Sequence, residues 1–192
     1  MSTFLHISVP TQLLASARNG DAAAQEGLYR LLARPTYTLL RRLVARPAIA
    51  DELLQEVFIE VLRSLERCSG AECFAGWVRS IAVSKALMYL RSPWHQRLLA
   101  GNALEAQSRQ AAPPPDDSWS NDLERALNAL PNLSRSIVWL HDVEGYTHDE
   151  IARLHGRTVS FSKSQLARAH EALRGYLERH TGAPACTSAF RN

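Results

Sequence analysis

The sequence predicts an all-α chain of two helical domains joined by a flexible linker, and three observations carry that prediction. Apolar residues recur at helical spacing, as in Leu53, Leu54, Val57, Phe58, Val61, Leu62 and Leu65, with no strand-like alternation of any length. The run Pro113-Pro114-Pro115-Asp116-Asp117 cannot continue a helix and resists packing. Thr147-His148-Asp149-Glu150 is a capping box, which fixes a helix start. The expected boundaries are an amino-terminal extension at 1–19, a first helical domain at 20–92, a proline-rich linker at 93–121, a second helical domain at 122–180 and a flexible tail at 181–192.

Composition narrows the class. The 192 residues allow one large domain or two small ones, and 46% apolar with 21% charged residues is enough to fill a core. No apolar run reaches the roughly 18 residues of a membrane helix, and the amino terminus lacks a signal-peptide pattern. Three cysteines, Cys68, Cys73 and Cys186, do not make a disulfide framework. A cytoplasmic protein with reduced thiols and no membrane insertion is expected. The net charge of +3 decides nothing, but its distribution is informative. Five arginines and no acid lie between Arg30 and Arg46, then five acids and one base between Asp51 and Glu66. Asp142, Glu144, Asp149 and Glu150 precede Arg157, Lys163, Arg168 and Arg174. Clusters of alternating sign suggest helices with different partners.

In chain order, Leu28 to Val44 is helical with a kink expected at Pro35. Pro47 precedes the next helix, and Cys68-Ser69-Gly70 ends it. Glu52, Gln55, Glu56, Glu60 and Arg63 lie opposite its apolar stripe, with Ile59 among them, placed to anchor a partner. Phe74, Trp77, Val78, Ile81 and Met88 form the stripe of a helix ending near Arg91. Within the linker, Leu98–Ala106 allows a short helix. Beyond it, one helix spans Leu123–Leu130 and another starts at Pro131-Asn132 and runs to about His141. The capped helix Thr147–Leu154 breaks at His155-Gly156-Arg157-Thr158. The last helix runs from about Val159 to Glu178, with Leu166, Ala169, Leu173 and Leu177 inward.

Two helices joined by a four-residue turn containing glycine describe a helix-turn-helix. Small Ala152 allows close approach, Gly156 suits a left-handed turn, and Ile151 and Leu166 fill the space between the helices. The second helix presents Ser160, Phe161, Lys163, Ser164, Gln165 and Arg168, with Arg157 just before it. Hydroxyls, an amide and bases suit phosphate and base-edge contacts in a major groove. If Lys163, Arg168 and one more base neutralise about three phosphates, the salt slope is only about −2.7. Such a module binds weakly alone and works when tethered beside a second site.

Other chemistry finds little support. His141, His148 and His155 recur at intervals of seven, about 10.5 Å along a helix, too far for two ligands of one ion, and Gly145 breaks the first interval. Trp77 and Trp139 fall in apolar patterns and read as core. No Ser-His-Asp arrangement, phosphate loop or dinucleotide-binding glycine pattern occurs, so neither catalysis nor a cofactor is expected.

Taken together these residues resemble the extracytoplasmic-function (ECF) group of bacterial sigma-70 factors. Asp51-Glu52-Leu53-Leu54-Gln55-Glu56-Val57-Phe58-Ile59-Glu60-Val61 is similar to the polymerase-binding helix of region 2. Phe74-x-x-Trp77-Val78-x-x-Ile81-Ala82 resembles the start of the promoter-melting helix. Leu130-Pro131, Leu140-His141-Asp142-Val143-Glu144-Gly145-Tyr146-Thr147-His148-Asp149-Glu150-Ile151-Ala152 and Lys163-Ser164-x-Leu166-x-Arg168-Ala169 resemble region 4. The likeness covers roughly residues 20–92 and 122–178.

The resemblance implies a sigma factor that binds core RNA polymerase and directs promoter-specific initiation. Asp51, Glu52, Gln55, Glu56, Ile59 and Glu60 would meet the clamp helices of the β′ subunit, with the β subunit as a further partner. Gly70 and Glu72, in the loop 68–73, and Trp77 and Lys85 would lie near the −10 element. Arg157, Ser160, Phe161, Lys163, Ser164, Gln165 and Arg168 would read the −35 element. Control by an anti-sigma factor is also implied. The sequence departs from the family pattern at Ser84, Met88 and Ser92-Pro93. Ser162 replaces a customary buried aliphatic residue and Phe161 a small polar one. Either the helix rotates to pack Phe161 inward, or Phe161 faces DNA. Two other classes fit parts of the pattern: a stand-alone helix-turn-helix regulator, and a sigma-like polymerase-binding module without promoter activity.

Overall fold

The computed structural model describes residues 3–92 and 118–181, and every described element is helical or a turn. The chain divides into two compact units, Met1–Leu98 with Asp142–Gly145, and Leu99–His141 with Tyr146–Asn192. The expected helix at Leu98–Ala106, the triple proline and the carboxy-terminal tail beyond Thr181 lie outside the described residues.

The first unit is built on four helices: α1 (Thr11–Arg18), α2 (Ala22–Val44), α3 (Pro47–Arg63) and α4 (Ala71–Arg91). Asp21 caps α2 by accepting a hydrogen bond from Ala23 N at 2.9 Å. Pro35 does not divide α2, which continues to Val44. An interior proline costs about 3 kcal/mol, but α2 packs against α1, α3 and α4, and this burial offsets the lost bond. Pro47 opens α3 at the first helical position, where its missing N–H is not needed. A 3-10 turn, Leu65–Arg67, and Cys68 lead to α4.

Within the segment 1–19, expected as an extension, the described residues 3–19 contribute to this core. Phe4, Val9, Leu14 and Ala17 are buried, and α1 packs along α2. Arg18 at the end of α1 donates from Nε to Leu65 O at 3.3 Å and from Nη2 to Cys68 O at 2.5 Å. Three apolar assignments on α3 and α4 need correction. Leu62 was expected inward on α3 but is partly exposed, because it falls on the same side as Asp51 and Gln55. Met88 was expected in the α4 stripe but is 55% exposed. The inward side of α4 is formed by Phe74, Ala75, Val78, Ala82, Val83, Ala86 and Leu87, so small alanines permit the close packing. Trp77 is half-buried rather than core.

The second unit contains α5 (Ser118–Ala129), α6 (Asn132–Val138), α7 (His148–His155) and α8 (Val159–Thr181). Helix α5 begins inside the segment 93–121 read as linker. Helix α8 is the centre of this unit, since α5, α6 and α7 all pack on it. Its inward residues are Ser162, Leu166 and Ala169; Leu173 and Leu177, expected inward, are half-buried. Trp139, expected as core, is half-buried and opens a π-helical turn, Trp139–Val143. Arg135 is 3% exposed, and its Nη2 donates to Asn132 Oδ1 at 2.7 Å. Burial lowers its guanidinium pKa well below the ordinary arginine value, to about 10.

Candidate nucleic-acid and partner interfaces

Helix α3 carries the first candidate surface. Asp51, Glu52, Gln55, Glu56 and Ile59 are exposed and Glu60 is half-buried. At 3.6 residues per turn these six positions span about 180° of the helix, with Ile59 close to the middle of the arc. Ile59 is 50% exposed, whereas its neighbour Phe58 is buried beneath Tyr29, ring centroids 4.7 Å apart in an edge-on arrangement. The surface is therefore an apolar point bordered by carboxylates. An isolated exposed isoleucine means little; one ringed by acids offers a partner both an anchor and a charge.

The residues expected near the −10 element do not gather on one face. Lys85 is half-buried, and its Nζ stands 3.5 Å from Glu56 Oε2, which ties it to α3. Glu72 is exposed in the first turn of α4, where a carboxylate complements the helix dipole. A Cβ on Gly70 would lie only 2.9 Å from a Glu72 carboxylate oxygen, so that side chain folds back over the glycine. Trp77 packs beside Phe74, centroids 5.6 Å apart, and keeps part of its ring at the surface.

Sequence reasoning missed the outward strip of α4. Cys73, Ser80, Ser84, Met88 and Arg91 are exposed along it. Helical geometry puts Trp77 and Met88 within about 20° of each other on that strip and Lys85 roughly 80° from Trp77. The missed signal was the alternation of alanine with serine, which marks the packed and solvent faces without a large apolar residue. Beside the start of α4 lies an open hollow of about 400 Å³ lined by His6, Val9, Ala71 and Glu72 among others. Its other wall is the amino-terminal segment, which the sequence did not tie to this loop.

The helix-turn-helix is the third surface. Thr147 Oγ1 accepts from Glu150 N at 3.3 Å, and Thr147 N donates to Glu150 Oε2 at 2.8 Å, completing the capping box. Gly156 ends α7 at φ +62°, a left-handed conformation that costs other residues roughly 1–2 kcal/mol. Ile151 and Ala152 are buried against α8. On α8, Ser160, Lys163, Ser164 and Arg168 are exposed, as is Arg157 in the turn, while Phe161 and Gln165 are half-buried.

The structure resolves the alternative left by Phe161 and Ser162. Ser162 keeps the inward position at 1% exposure, and its Oγ lies 3.0 Å from His148 Nδ1. The helix is not rotated; a buried hydrogen bond replaces aliphatic packing. Phe161 stays on the flank, with the Arg157 guanidinium 5.6 Å from its ring centre. As expected from Gly145, the interval between His141 and His148 is not helical, and the two rings stack 4.6 Å apart. Among the described residues no group of three His, Cys, Asp or Glu side chains is arranged to hold a metal ion.

Comparison with known proteins agrees with this architecture. Residues 28–96 match Sigma-70 region 2, and residues 120–173 match Sigma-70, region 4. The chain is 31% identical over 182 residues to the ECF RNA polymerase sigma factor SigE of Mycolicibacterium smegmatis, covering 90% of this chain and 70% of that one. It is 33% identical over 163 residues to the RNA polymerase sigma factor CarQ of Myxococcus xanthus, covering 83% and 92%. A solved structure of the sigma factor RpoE from Bartonella quintana, in complex with the anti-sigma factor NepR, shares the fold. It superposes with TM-score 0.55 at 17% identity, over 81% of this chain and 97% of that one.

The two units thus define a region 2 and region 4 pair of the sigma-70 class. The chain belongs to the ECF group of RNA polymerase sigma factors. As such it binds core RNA polymerase and promoter DNA and directs transcription initiation. Among the described residues no helix is long and apolar enough to cross a membrane.

Proposed function

We propose that this sigma factor docks on the clamp helices of the polymerase β′ subunit through Asp51, Glu52, Gln55, Glu56, Ile59 and Glu60, with the β subunit as a further contact. The observation that carries the reading is Ile59, half-exposed at the centre of an acidic arc. Apolar burial supplies affinity there, and the carboxylates supply orientation and rate of encounter. Promoter DNA near the −10 element meets the loop at Gly70 and Glu72 and the α4 strip around Trp77, with Lys85 held back by Glu56. Arg157, Ser160, Phe161, Lys163, Ser164, Gln165 and Arg168 face the −35 element.

Two domains, the first widened to take in Phe4–Arg18 and the second starting at Ser118, fit this division of labour: two weak DNA contacts gain strength when polymerase holds both. The chain itself supplies no catalysis and works in the cytoplasm, where polymerase is. A solved relative bound to an anti-sigma factor supports control by such a partner. The test is site-specific photo-crosslinking within the holoenzyme on promoter DNA. A probe at Ile59 should capture β′, and probes at Trp77 and Arg168 should capture DNA. Capture of DNA at Ile59, or of neither partner, would contradict the assignment.

A further inference from the structure

We propose that Phe161 sets the promoter specificity of this chain by taking the 5-methyl group of one thymine in the −35 element. The inference rests on the reading that α8 enters the major groove there, and adds what the helix selects.

Register comes first. Ser162 is buried and bonded to His148, and Leu166 and Ala169 face inward with it, which fixes the rotation of α8 about its axis. Phe161 is one residue earlier, about 100° around the helix, on the flank that carries Arg168. Depth comes second. Thr158 Oγ1 accepts from Phe161 N at 3.2 Å, so Phe161 lies in the first turn of α8. In helix-turn-helix proteins the first residues of the second helix are those that reach base edges.

Chemistry comes third. A phenyl ring has no donor or acceptor, so it cannot read a base by hydrogen bonding. The major groove offers it one apolar feature, the methyl group of thymine. Ser160, Ser164 and Arg168 supply polar contacts around it. Arg157 lies over the ring, which holds its guanidinium beside the same base step in a cation–π contact. If the ring merely packed the turn, binding would not sense a methyl group on DNA.

The experiment uses promoters selected by reconstituted holoenzyme. Each thymine of the −35 element is replaced in turn by deoxyuridine, which removes the methyl and keeps every hydrogen-bonding group. One replacement should weaken wild-type holoenzyme binding about fourfold, as expected for one methyl-sized group left in water. Phe161→Ser keeps the backbone cap and should bind the thymine and uracil duplexes equally. Lys163→Ala should weaken both duplexes by the same factor and preserve the thymine preference. Wild-type indifference to every replacement, or unchanged sensitivity in Phe161→Ser, would overturn the proposal. If Lys163→Ala and Arg168→Ala also leave binding to the element unchanged, α8 does not read it and the parent assignment falls too.

Discussion

Lys85 Nζ lies 3.5 Å from Glu56 Oε2, so an ion pair joins α4 to α3, the helices proposed to meet promoter DNA and polymerase. The Glu56 side chain is 55% exposed, and an ion pair open to water contributes only about 0–1 kcal/mol. Lys85→Ala should therefore shift the unfolding free energy by less than about 1 kcal/mol. Glu56→Arg sets two cations together and reverses a charge on the docking arc. It should cut core polymerase affinity at least tenfold while the chain stays folded, checked by circular dichroism and equilibrium binding.

Adjacent residues on α3 should separate binding from stability. Ile59→Asp changes a solvent-facing side chain and should alter stability by no more than about 0.5 kcal/mol. Polymerase binding should nevertheless fall steeply, because the apolar anchor is gone. Phe58→Ala removes a buried ring packed against Tyr29 and should destabilise by about 3–4 kcal/mol. Denaturant titration and holoenzyme assembly assays on the two variants would show opposite patterns.

The His148–Ser162 bond holds the two helices of the helix-turn-helix in register. Ser162→Ala leaves the imidazole nitrogen without this partner in a partly buried site. It should cost about 1–2 kcal/mol, read from urea unfolding. Gly156→Ala, forced to φ +62°, should cost about 1–2 kcal/mol.

Arg135 gives a pH signature with a definite sign. Its folded-state pKa of about 10 lies below the ordinary arginine value because of burial, so between the two the unfolded chain binds the proton more strongly. The contribution of Arg135 to stability should thus rise as pH increases through that window, and be flat below it. Arg135→Ala, which also loses the bond to Asn132, should cost about 2–3 kcal/mol at neutral pH. Paired unfolding curves at about pH 9 and about pH 11 should show the gap between wild type and variant widening.

Much of this was legible in the residues, for local reasons. The capping box, the Gly156 turn and the exposure of Ile59 all follow from spacing within one or two helical turns. What escaped depends on tertiary packing. Helix α1 is only eight residues long, and its core contribution with the segment before it is Phe4, Val9, Leu14 and Ala17, too sparse to declare a period. Helix α4 packs through alanines, so choosing its largest apolar residues placed Met88 inside when it lies outside. Ser162 could be buried only because His148, fourteen residues earlier, meets its hydroxyl. The pairing of Lys85 with Glu56 joins two helices that are distant in sequence, so no local spacing announces it.

The most direct test of the central claim is transcription in vitro from a genomic fragment library, using core polymerase with and without this protein and with Ile59→Asp or Glu56→Arg in its place. Discrete transcripts should start only when the wild-type protein is added and should be lost with either variant. Transcripts that persist undiminished with both variants would contradict the docking surface on α3. No polymerase binding and no transcripts with the wild-type protein would contradict the account as a whole.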